Sequence, residues 1–122
     1  MMKDRFKFRF WNIKEKVIHD DILHFFDYMD CMNDENLIPM QCTGKKDKTE
    51  KLIFEGDIVY KKGAKKWNGE KLFSKVIWDE QDARFMISDD NGIHNIPRNP
   101  ANIEIVGNIY ENANLLEEKC LN

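Results

Sequence analysis

Three histidines (His19, His24 and His94) and three cysteines (Cys31, Cys42 and Cys120) are the side chains best suited to hold a soft metal or to pair as nucleophile and base. A zinc site needs ligands that converge on one ion, usually as Cys-x-x-Cys or as two His on one helix face. His19 and His24 are five residues apart, which on a helix puts them on different faces, and no two cysteines form a close pair. Surface imidazoles and buried thiols are the ordinary state of these residues, so no metal site is expected. A Cys–His pair need only meet in space, but Cys42 stands inside the apolar run Met40-Gln41-Cys42-Thr43-Gly44, where packing explains it. No G-x-S-x-G, P-loop or dinucleotide fingerprint is present. The odd cysteine count suits free thiols in a reducing compartment.

Glu55, Asp57 and Glu111 could in principle supply paired carboxylates for a small acid-dependent hydrolase, provided they met a histidine in one deep pocket. Their setting points to structure instead. Asp57 follows Gly56 at a strand entrance, where a carboxylate accepts backbone N–H bonds and holds a turn. Glu55 and Glu111 are expected to pair with basic side chains. No catalytic residue and no cofactor is expected.

The basic residues are clustered. Between Lys45 and Lys75 ten lysines face five acids, a local +5 in a chain of net charge −3, leaving −8 for the rest. Lys61, Lys62, Lys65 and Lys66 flank Trp67, and Arg5, Lys7 and Arg9 form a second cationic set near the start. Cations beside an exposed aromatic suit a phosphate backbone and a stacked base. Solvated surface is the preferred reading, because an acidic chain lacks the overall electrostatic footprint of a dedicated nucleic-acid binder.

The elements that must position these residues are short strands. Arg5 to Trp11 alternates strictly, with Phe6, Phe8 and Phe10 on one face and Arg5, Lys7, Arg9 and Trp11 on a cationic outer one. Lys16 to Ile18 is expected to return as a short strand. Ile18, Ile22, Phe25, Met29 and Met32 recur at helical spacing, so a short helix competes with strand over 18–32. Strands are expected at Leu37 to Cys42 (with Pro39 confining it to an edge or bulge), Leu52 to Phe54, Asp57 to Lys61, Leu72 to Trp78, Arg84 to Ser88, Ile93 to Ile96 and Ile103 to Tyr110. Asn91-Gly92 between apolar runs signals a hairpin, and Asn112 can cap a terminal helical turn.

A chain of 122 residues, 42% hydrophobic and with eight Phe and three Trp, is enough for one domain with its own core. The expected fold is mainly antiparallel β, with the Glu55-Gly56-Asp57-Ile58-Val59 turn opening an SH3-like partial barrel and at most one or two short helices. Phe6, Phe8, Phe10, Ile53, Ile58, Val76, Phe85, Ile87, Ile105 and Ile109 are expected to be mostly buried. Gly44, Gly56 and Gly107 are expected to serve backbone geometry. No secretory signal and no stretch able to cross a bilayer are read, so a cytoplasmic protein without membrane partners is expected.

Three motifs in order, Met40-Gln41-Cys42-Thr43-Gly44, Glu55-Gly56-Asp57-Ile58-Val59 and Ile105-Val106-Gly107-Asn108-Ile109-Tyr110-Glu111-Asn112, together with Lys7-Phe8-Arg9-Phe10-Trp11, resemble the YopX-like family of phage and prophage proteins. Family members often carry Tyr where Cys42 and Phe54 stand, and a glycine-containing turn where this chain has Lys48-Thr49-Glu50-Lys51. The resemblance implies coiled, bifurcated antiparallel sheets and expression in a bacterial host, and it carries no catalytic residue. One domain is expected over 1–122, with an N-terminal strand region to 37, a barrel-like core over 38–112 and a short tail. The expected function is that of a non-enzymatic accessory module binding a phage or host macromolecule. Nucleic-acid binding by the Lys/Trp surface and hydrolysis are the alternatives. A homo-oligomer is expected, since a thin sheet fold encloses so many aromatic side chains with difficulty.

Overall fold

The computed structural model describes residues 4–20 and 25–116. His24, Cys120 and part of the anticipated helical segment lie outside the described residues. Among the described residues nine strands form two antiparallel sheets. The first runs in the order β2 (Val17–His19), β1 (Phe8–Asn12), β3 (Leu37–Lys46), β4 (Leu52–Phe54). The second runs β8 (Gly92–Asn95), β7 (Arg84–Asp89), β6 (Lys71–Asp79), β5 (Asp57–Lys65), β9 (Ile103–Asn108), and one of the two sheets curls into a half-barrel. β3 gives the fold its bifurcation: residues 37–41 pair with β1, whereas Cys42 and Lys46 pair with β4 across an irregular register. Pro39 faces Phe10 of β1 in the half of β3 that β4 does not reach, so its missing N–H costs no ladder bond on that side.

The segment that read both as strand and as helix contains one of each. β2 is followed by the two-turn helix α1, Phe25–Met32. Tyr28 of α1 is buried against Phe8 and Phe10, with ring centroids 5.9 and 6.2 Å away. Two expectations for the N-terminal segment are corrected here. Phe6 is 49% exposed rather than buried, because Asp4–Phe6 forms a 3-10 turn closed by Lys7 N donating to Asp4 O, and β1 starts only at Phe8. The outer face of β1 is also not a solvated cationic one: Arg9 and Trp11 turn toward the second sheet, and α1 covers the Phe face. Alternation defines two faces, and what each face meets is settled by elements distant in sequence.

A cluster of buried apolar side chains joins both sheets: Ile53 of β4, Val59, Val76 and Ile87 of the central strands, and Ile96 and Ile103, with Phe85 and Ile105 packed partly buried against them. Phe10 and Ile58 are fully buried, and Phe85, Ile105, Phe8 and Ile109 are half-buried. Each buried Ile or Val is worth about 1.5–3 kcal/mol of apolar transfer. The hairpin between β7 and β8 turns one residue earlier than Asn91-Gly92 suggested. Asp89 pairs with Gly92, so Asp90-Asn91 form the two-residue loop, and Asp89 Oδ1 accepts Asn91 N at 2.8 Å. Among the described residues no helix is long and apolar enough to cross a membrane.

Candidate functional site

The three motifs meet in a junction between the sheets. The Arg9 guanidinium, half-buried over the Phe54 ring at 4.5 Å, donates through Nη2 to Oδ1 of the fully buried Asp57. Asp57 Oδ2 in turn accepts Phe54 N at 2.8 Å and closes the Glu55-Gly56 turn. Burial draws the Arg9 pKa down, opposed by the charges of Asp20 and Glu111, but a guanidinium so placed stays cationic. Gly56 takes φ +88°, and a Cβ there would lie 3.1 Å from Met40 Cε, so both backbone and space call for glycine. Its N–H reaches Val76 O and its carbonyl accepts Ile109 N, which joins the turn to β6 and to the C-terminal motif.

In that last motif Asn108 Oδ1 accepts Tyr110 N and Glu111 N, and Asn108 Nδ2 donates to Glu111 Oε1. Asn112 Oδ1 accepts Asn108 N, and its side chain occupies the space a Cβ on Gly107 would need. Trp11 stacks on Tyr110 at 5.3 Å. Gly44, at φ +80°, turns β3 beside the fully buried Cys42, whose thiol is pushed up by that burial. The three acids thus stand apart: Asp57 holds Arg9, Glu111 holds Asn108, and Glu55 is half-buried beside Tyr110, its carboxyl pushed up by desolvation; among the described residues neither glutamate pairs with a basic side chain, contrary to expectation.

Two polar sites escaped the sequence. Asp47, 1% exposed, accepts Thr49 N, Thr49 Oγ1 and Lys51 N within its own turn and Ile105 N across the molecule at 3.0 Å. Together with Lys48 N donating to Ile103 O, it docks the β3–β4 turn on the outer edge of β9. Buried Ser74 donates to Asp89 Oδ2 at 2.8 Å, and His94 Nε2 lies 3.4 Å from Asp89 Oδ1. The carboxylate sits between hydroxyl and imidazole, the reverse of a Ser–His–Asp relay, in which the imidazole must touch the hydroxyl. Among the described residues no group of His, Cys, Asp and Glu is placed to hold a metal.

The basic residues separate into unlike groups. Lys7 pairs with Asp4 at 3.1 Å, and Arg9 belongs to the buried pair. Lys61, Lys62 and Lys65 are exposed on β5, Lys66 is half-buried, and Trp67 stands 84% exposed at the tip of the β5–β6 hairpin. Arg5 goes elsewhere. It lines a cavity of about 680 Å³ at the other end of β6, where Lys45, Arg84 and Arg98 join it and, among the described residues, no carboxylate contributes to the wall. Lys71 and Trp78, near opposite ends of β6, are seven residues or roughly 23 Å apart at about 3.3 Å per residue, so hairpin tip and cleft are distinct surfaces.

The cleft has aromatic walls. Trp78 lies on the same strand face as Leu72, Ser74 and Val76 but is 44% exposed. It is paired across the ladder with Phe85, whose ring meets it edge-on at 5.0 Å, and Phe6 lies on the same cavity. Arg5 belongs to the cationic set at the start and Lys45 opens the lysine-rich run, but neither run reaches Arg84 or Arg98, so nothing local joins the four. The Trp78–Phe85 pairing was the one signal available, through the hairpin register.

No curated protein matches the chain. Among solved structures, it is similar to the crystal structure of protein EF1440 from Enterococcus faecalis, with a TM-score of 0.64 at 23% identity over 91% of this chain and 97% of that one. That likeness is one of fold. The YopX protein family matches residues 7–117, which takes in β1, the Arg9–Asp57 junction, the Asp47 turn and the Asn108–Asn112 knot, and the chain belongs to that family.

Proposed function

We propose that this protein is a phage-type accessory module that binds an anionic macromolecule and performs no catalysis of its own. The observation that carries this reading is the cleft of about 680 Å³, with Arg5, Lys45, Arg84 and Arg98 around it and, among the described residues, no carboxylate in its wall. All four cations are exposed, and among the described residues only Arg84 has a salt-bridge partner, the exposed Asp82 at 3.6 Å. Converging cations in a concavity raise the local potential even when net charge is negative, and this attracts a polyanion. Within the family motifs, Asp57 and Glu111 are bound to structural partners and the one thiol is buried with its pKa raised, which supports a role without catalysis.

Retention on immobilised heparin, measured against salt, tests the reading. The protein should be retained at low ionic strength, and the R84E/R98E double variant should elute earlier with a shallower salt dependence. Equal retention of variant and parent, or none for either, contradicts it. We propose further that the chain self-associates, supported by the exposed Ile13, Val17, Met29 and Met32 of the N-terminal third. Ultracentrifugation showing a monomer at high concentration would remove that part alone.

A further inference from the structure

Resting on the reading of the cleft as a polyanion site, we infer that its occupant is a single-stranded nucleic acid whose base stacks on Trp78 while the four cations hold the flanking phosphates. Cations alone would suit heparin, polyphosphate or duplex equally well. The aromatic side chains break that equivalence. A phosphate polymer has no use for an exposed indole, whereas every unpaired base has a π face, and stacking on an aromatic is the sequence-tolerant part of single-strand binding. Trp78 is already fixed for this: Phe85 meets it edge-on at 5.0 Å and is itself half-buried against the core, so the indole is supported from one side and 44% exposed. Phe6, 49% exposed, offers a second ring on the same cavity, and the Arg5 guanidinium lies 4.8 Å over it.

Shape agrees. A volume of about 680 Å³ is in the range of pockets that enclose small molecules, about 300–1,000 Å³, and so admits one or two nucleotides. A duplex keeps its base faces stacked inside, where Trp78 cannot reach them without unpairing. The wall also carries Gln41, Thr43 and Asn95, amides and a hydroxyl able to bond base edges or sugar, in contrast to a plain electrostatic patch. DNA and RNA share this chemistry and differ in the 2′-hydroxyl, which the test can separate.

Fluorescence anisotropy with oligothymidylate, oligouridylate, a duplex of the same length and inorganic polyphosphate provides the test, with intrinsic tryptophan quenching as a second readout. The single strands should bind at least tenfold more tightly than duplex or polyphosphate. Trp78→Ala should lose roughly tenfold or more in affinity for the single strands with an unchanged salt slope, and Trp78→Phe should recover most of it. Trp67→Ala should bind as the parent does, and quenching should persist in that variant. A folded Trp78→Ala protein is recognised by an unchanged melting profile, and the Phe variant keeps the question open to a clear answer should the Ala variant fail to fold. Equal binding of single strand, duplex and polyphosphate, or indifference to Trp78, overturns the inference and leaves the polyanion reading standing. No binding to any of the four probes overturns both. Loss of affinity in Trp67→Ala instead moves the site to the hairpin tip and overturns the inference.

Discussion

The carboxylate of Asp47 takes its hydrogen bonds from Thr49, Lys51 and Ile105 while almost wholly buried. Burial alone would push this carboxyl up, but the bonds from Ile105, Thr49 and Lys51 outweigh it and hold it below its ordinary 3.8. Its contribution to stability is therefore present above that ordinary value and is lost as pH falls through the lower folded-state value. Asp47→Asn should cost about 1–3 kcal/mol at neutral pH from weakened charge-assisted bonds. It should also flatten the acid limb of the unfolding profile below about pH 4, as a denaturant series across pH would show. Glu55 behaves in the opposite sense. Its carboxyl is raised by desolvation, so its charge opposes folding above the raised value, and the cost vanishes below the ordinary 4.5. Glu55→Gln should raise the melting temperature at neutral pH and leave it unchanged in acid. Gly107 is held by space: a Cβ would lie 2.4–2.8 Å from Oδ1, Cγ and Cβ of Asn112, the last of which cannot swing aside. Gly107→Ala should lose about 1–3 kcal/mol by overpacking.

At the scale of elements, what was legible in the sequence was local. Turn chemistry and period two placed nearly all the strands, and Glu55-Gly56-Asp57 was readable as a turn held by its own carboxylate because a backbone N–H three residues away satisfies Asp57 Oδ2. What was not legible depended on partners far along the chain. The Phe and Arg faces of β1 were distinguishable, but only α1 arriving from residue 25 onward decides that Phe10 is buried beneath Tyr28 and that Arg9 faces Asp57, 48 residues away. Asp47 looked like one more charge in a lysine-rich link, because its decisive partner, Ile105 N, lies 58 residues on. The cleft was illegible for the same reason. Arg5 and Lys45 stand in two separate basic runs and Arg84 and Arg98 in neither, whereas Lys61, Lys62, Lys65 and Trp67, which drew attention, lie on a separate exposed hairpin.

For the whole molecule, the two sheets are joined by the Arg9–Asp57 junction and by the Asp47 turn docked on β9, and the cleft lies beside Trp78 at the end of β6. Charge is divided accordingly, with a concave basic wall on a chain of net −3. Such an arrangement suits a partner that enters a groove over one that spreads across a surface. The most direct test of the cleft as the working surface is an amide and side-chain chemical-shift titration of the full chain with a short polyanion at low salt. The account predicts the largest shifts at Arg5, Lys45, Trp78, Arg84 and Arg98, with the hairpin tip around Trp67 little changed. Shifts confined to Lys65, Lys66, Trp67 and their neighbours, with the cleft silent, would contradict it.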